Sequence, residues 1–140
     1  MRIKNTSNFS SDMIREIIAF VKPNKVTNFD CWVKKSQHGF AGRAYCSGCS
    51  YHGRWCPYIV VRIGENKYPY TIHKNQKKGY MEITLYSAEE LLVSVIAHEL
   101  RHLWQKKVPR GWRVWGARGQ FSERDADAYA IHMVREWRRR

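Results

Sequence analysis

Two histidines one helical turn apart, His98 and His102, enclose Glu99 in the run Ala97-His98-Glu99-Leu100-Arg101-His102. Side chains four residues apart share a helix face, with Cβ atoms roughly 6 Å apart. Both imidazoles can therefore reach one ion at about 2.1 Å per Zn–N bond. Glu99 lies one step round the helix, out of comfortable ligand position but within reach of a water held by the ion, which is where a general base belongs. The pattern is that of a catalytic zinc helix.

Such a zinc takes three protein ligands and leaves the fourth place for water, so one more donor is needed from another element. The segment opened by Ser122 as N-cap reads as a last helix with the apolar stripe Ala126, Tyr129, Ala130, Met133, Val134 and Trp137. Glu123 projects within that stripe and Asp127 on its edge, whereas Asp125 and His132 project elsewhere. A carboxylate on a buried stripe is costly unless it is paired, hydrogen-bonded or metal-bound. Glu123 is accordingly the expected third ligand, and Asp127 is placed to accept a hydrogen bond from the outer nitrogen of a ligating histidine.

Taken together, His98-Glu99-Leu100-Arg101-His102 and Glu123-Arg124-Asp125-Ala126-Asp127-Ala128-Tyr129-Ala130 resemble the HExxH and ExxA(D/N)x(F/Y)A signature of small gluzincin metallopeptidases, namely the minigluzincins, the ImmA/IrrE-type proteases and the membrane HtpX-type enzymes. The resemblance covers about the C-terminal third. It implies His98 and His102 as zinc histidines, Glu99 as base, Glu123 as third ligand and Asp127 as the residue orienting a histidine. It also implies that the strand at Met81 to Tyr86 is the edge against which an extended substrate lies, in keeping with strand addition.

The elements that must position these residues are legible in outline. Ser10 and Ser11 can cap a helix over residues 10 to 22, where Ile14, Ile17, Ile18 and Val21 repeat at helical spacing before Pro23. From Val26 to Tyr86, segments rich in β-branched and aromatic residues (29–33, 39–45, 58–63, 68–73 and 80–86) alternate with Gly, Pro, Asn and Lys, which predicts a small, largely antiparallel sheet. Ser87-Ala88-Glu89-Glu90 forms a capping box for a helix reaching Lys106 or Lys107. On it Ser94, His98, Arg101, His102 and Gln105 make one polar stripe among apolar residues, so the helix should be buried nearly all round except where it faces a cleft. The expected architecture is one α+β, zincin-like domain over residues 1–140. A mostly antiparallel sheet packs on the buried HExxH helix, a C-terminal helix closes the site, and a cysteine-containing β insertion falls at about 31–56.

A chain of 140 residues with 44% hydrophobic content can bury one core. The N-terminus shows no apolar signal-like run and no segment approaches a membrane span, so a cytoplasmic setting without membrane contact is the expectation. In reducing surroundings its four cysteines read as thiols or metal ligands rather than disulfides. Cys46-Ser47-Gly48-Cys49 is a C-x2-C knuckle; with Cys31 and Cys56 it suffices for a second, structural zinc, and free or redox-active thiols are the alternative. His38 and His52 are spare ligands.

The 25 Lys and Arg against 12 Asp and Glu give +13, a field that favours anionic partners. The run from Lys106 to Gln120, basic and carrying Trp112 and Trp115, could hold acidic substrate or stack on unpaired bases, or tuck its tryptophans into the core. His73, Tyr45 and Arg113 could stabilise an oxyanion, but none stands out as catalytic. The functional expectation is therefore zinc-dependent hydrolysis of a protein or peptide substrate. The alternatives are a basic nucleic-acid-associated zinc protein, a SprT-like protease acting on nucleic-acid-bound proteins, and a regulatory protease of the ImmA type that cuts one partner.

Overall fold

Residues 1–45, 56–74, 81–107 and 120–140 are described by a computed structural model. The elements are β1 (Ile3–Thr6), α1 (Ser11–Val21), β2 (Asp30–Lys35), β3 (Phe40–Tyr45), β4 (Tyr58–Ile63), β5 (Tyr70–Lys74), β6 (Met81–Leu85), α2 (Ala88–Lys107) and α3 (Gln120–Arg138). The class is α+β, a small sheet with three helices among the described residues.

Local chemistry accounts for the helix ends. Ser10 Oγ accepts from the Met13 amide at 3.0 Å, and Ile14, Ile17, Ile18 and Val21 are all buried, as their spacing demands. At the start of α2 the Glu90 amide donates to Ser87 Oγ at 3.2 Å, while the Glu90 carboxylate reaches back to the Tyr86 amide at 2.9 Å. Helix α2 is buried almost all round, from Leu91 through Ala97 and again at Leu100 and Leu103. Helix α3 begins two residues ahead of Ser122, so Ser122 lies in its first turn rather than at its cap.

The sheet is mixed, not largely antiparallel. Its order is β1-β2-β4-β3; β1 pairs with β2 and β2 with β4 in parallel, and β3 with β4 antiparallel. Two facts of the chain produce this. Helix α1 carries the backbone across one face between β1 and β2, which is what a parallel pair needs. Strand β4 (Tyr-Ile-Val-Val-Arg-Ile) is buried at every position but Arg62, so it takes an inner place between β2 and β3. The hairpin β5–β6 forms a separate two-stranded sheet, with Thr71 and Thr84 hydroxyls 2.8 Å apart and Ile72 opposite Ile83.

Strand β1 was not foreseen. Its alternation rests on a single aliphatic residue, Ile3, and it is held by what it meets. The Arg2 amide donates to Asp30 at 2.9 Å, and Asn5 Nδ2 donates to the Phe9 carbonyl at 2.7 Å.

Helices α2 and α3 lie antiparallel, pinned at both ends. Trp137 Nε1 donates to Glu89 at 3.1 Å and Arg138 pairs with Glu90 at 2.7 Å at one end; Arg101 and Asp125 pair at 2.7 Å at the other. This pairing delivers the first turns of α3 to the His98–His102 turn of α2. No described helix is long and apolar enough to cross a membrane.

Candidate metal centre

The helical spacing on α2 and the antiparallel docking of α3 bring His98, His102 and Glu123 together. The two Nε2 atoms are 3.2 Å apart; Glu123 Oε2 is 3.2 Å from His98 Nε2, and its Oε1 is 2.9 Å from His102 Nε2. Ligands at about 2.1 Å on a tetrahedral ion stand about 3.4 Å from one another. The three donors thus lie close enough together to hold one small divalent ion, and two imidazoles with a carboxylate are a donor set suited to zinc. Among the described residues no other group of three such side chains converges in this way.

Each histidine is oriented by a bond to its other nitrogen. Asp127 Oδ1 lies 3.0 Å from His98 Nδ1, as the helix projection expected. For His102 the partner is Gln105, whose Oε1 lies 3.0 Å from Nδ1. Gln105 in turn donates to Asp125 Oδ2 at 3.0 Å, and Arg101 grips the same carboxylate through two bonds of 2.7 and 3.1 Å. Asp125 therefore does face α2, one layer out from the ligands, while His132 is exposed. The signal for this chain was present in the polar stripe, since Gln105 follows His102 by three residues and Arg101 shares its face; only the long-range partner was hidden. Ligands held by such bonds keep their Nε2 lone pairs aimed inward.

The electrostatics follow. Burial opposes charge on His98, but hydrogen bonds to Asp127 and Glu123, with the charges of Glu99 and Asp127, outweigh it and raise its pKa to about 9. His102 is raised in the same manner, burial being overcome chiefly by Glu123 and Gln105. The bonds from His102 and His98 hold Glu123 well below the usual carboxylate range. In the metal-free protein the imidazoles thus share protons with the carboxylates, and these are the protons a metal must displace.

Glu99 is buried and faces β3, not the ligand pair. Its Oε2 is 3.9 Å from His98 Nε2. Burial raises its pKa, the neighbouring histidines pull it down and the Glu123 and Asp127 charges push it up again, with a net upward shift. Room for it is made by Gly42 of β3: a Cβ there would fall 2.5 Å from Glu99 Oε2 and 2.9 Å from its Cδ. Gly42→Ala is expected to displace the Glu99 carboxylate while leaving His98, His102 and Glu123 together, which a structure of the variant would read.

A cleft of about 270 Å³ opens beside these groups, lined by His98, Glu99, Glu123, Gly42, Ile72 and Ile83. The strand bordering it along the Glu99 side is β3, the outer strand of the four-stranded sheet among the described residues. The expected edge, Met81 to Tyr86, pairs with β5 on one side in the two-stranded sheet and contributes Ile83 to the cleft lining. Neither Gly42 nor the place of β3 is visible in local sequence, because both depend on which strand lands over α2.

Tyr45 stacks on Tyr58, ring centroids 4.3 Å apart, on the sheet face away from the cleft. Cys31 and Cys56 are buried, and burial, with the Asp30 charge, pushes the Cys31 pKa up to about 12. His38 is exposed. Cys46, Cys49, His52, the side chain of His73, and the run 108–119 with Trp112, Arg113 and Trp115 lie outside the described residues.

No family model, curated protein or solved structure matches the chain. What fold and site define is an α+β domain with a candidate His/His/Glu metal centre beside a cleft.

Proposed function

We propose that the chain is a zinc-dependent endopeptidase of the gluzincin kind, with a zincin-like fold. The observation that carries this reading is the convergence of His98, His102 and Glu123 in one cleft with the separate, buried carboxylate of Glu99. His98, His102 and Glu123 would hold the ion; bound there, zinc supplies Lewis acidity and lowers the pKa of a coordinated water towards 7. Glu99, with its raised proton affinity, takes the proton from the attacking water and passes it to the leaving amine as the peptide bond breaks. Asp127 and Gln105 keep the imidazoles in one tautomer and orientation. The edge of β3, unpaired among the described residues, would offer backbone groups to an extended peptide, and Ile72 and Ile83 would give its side chains an apolar wall.

Removing the metal supplies the test. Cleavage of an unfolded protein should vanish when the chain is stripped with a chelator and return with one equivalent of zinc. Cleavage that persists in the stripped protein would overturn the reading.

A further inference from the structure

One face of the four-stranded sheet is covered: Ile3, Cys31, Val33, Ile59 and Val61 point into the core shared with α1 and α2. Side chains alternate along a strand, so the intervening residues point the other way. Register sets them in cross-strand rows, Lys4–Trp32–Val60–Arg43 and Thr6–Lys34–Arg62–Ala41, in which Val60 is itself buried and Lys4, Thr6, Ala41 and Arg43 are exposed. Among the described residues no carboxylate pairs with Lys4, Lys34, Arg43 or Arg62. The acid on this face, Asp30, is buried and already engaged by the Arg2 amide at 2.9 Å and its guanidinium at 3.6 Å.

The cations are gathered round aromatic rings. Lys4 and Lys34 ammonium groups stand 3.9 and 4.3 Å from the centroid of the half-buried Trp32 ring, and Arg43 lies 5.5 Å from that of Tyr45. A recess of about 220 Å³ lined by Arg2, Asp30, Trp32 and Tyr58 indents the face beside them. Uncompensated cations favour a polyanion, whose counterions are released on binding. Rings set among those cations favour one that also offers planar faces to stack. A duplex hides those faces, and this flat surface projects no helix or ribbon from the described residues to enter a groove. An anionic lipid surface would use the charge but leave the rings without apolar companions to insert.

We propose that the outer face of β1–β4, through Lys4, Trp32, Lys34, Arg43 and Arg62, binds single-stranded nucleic acid. This site lies on the far side of the sheet from Gly42 and the cleft, and it stands whether or not the metal centre hydrolyses peptides.

Fluorescence anisotropy of a short labelled oligothymidylate with the full chain provides the test. Four phosphate contacts imply a slope of about −3 in log K against log salt. Lys34→Glu with Arg62→Glu, both half-buried positions, should weaken binding at least tenfold and flatten the slope to about −1.4. Trp32→Leu should weaken it roughly tenfold at unchanged slope. The same charge change on the helical side, Lys22→Glu with Arg135→Glu, should cost less than threefold. The proposal fails if that control loses as much as the sheet variant, if the sheet variant binds like wild type, or if duplex DNA or phosphatidylserine vesicles bind as tightly as the single strand.

Discussion

Glu99→Gln is expected to retain bound zinc and lose peptide hydrolysis by about 10²- to 10⁴-fold, the range a positioned general base supplies. The substitution is nearly isosteric, so the packing of residue 99 beneath Gly42 and beside His98 survives. What disappears is an acceptor whose burial keeps its proton affinity high. Because the ligand atoms belong to other residues, metal content and activity should separate cleanly. Hydrolysis at the wild-type rate would remove the base assignment, and loss of zinc together with activity would show that Glu99 acts as a ligand.

Zinc should also stabilise the fold, and the gain should depend on pH. At a thousandfold excess over Kd a ligand confined to the native state adds about 4 kcal/mol, which for a domain of this size raises Tm by about 10 °C. In the metal-free protein the raised His98 pKa contributes stability that is present in full below the unfolded value of about 6.5. That contribution is lost as pH rises through about 9. Zinc competes with the same proton, so its own binding strengthens over that interval. The gap between metal-free and zinc-loaded melting temperatures should therefore widen from about pH 6 to pH 9, and His102→Ala should close it. A calorimetric scan showing no zinc-dependent shift, or a shift intact in His102→Ala, would contradict the assigned ligands.

Much of this site was legible because its logic is local. Two histidines at helical spacing, a capping box at Ser87 to Glu90 and a carboxylate on an apolar stripe are all readable within one or two turns of chain, and Asp127 follows from the same projection. The strands from β2 to β6 were also marked by composition to within a few residues. What stayed hidden depends on distant parts of the chain. The parallel pairing of β1, β2 and β4 is decided by the α1 crossover and by the burial of β4, and a four-residue strand carrying one isoleucine gives no periodic signal of its own. Gly42 reads as an ordinary strand glycine until β3 is laid over Glu99. Asp125 seemed turned away because a projection of α3 alone cannot show Arg101 and Gln105 waiting on α2. The basic outer sheet face was invisible for the same reason: Lys4, Trp32 and Arg62 belong to three separate strands and become neighbours only through register.

The central claim is that α2 and α3 jointly grip one divalent ion, and equilibrium dialysis of zinc against protein carrying Cys46→Ser and Cys49→Ser tests it most directly. One equivalent bound in that background, lost in His98→Ala and in Glu123→Ala, is the predicted result. No zinc bound in that background, or one equivalent that survives both replacements, would contradict it.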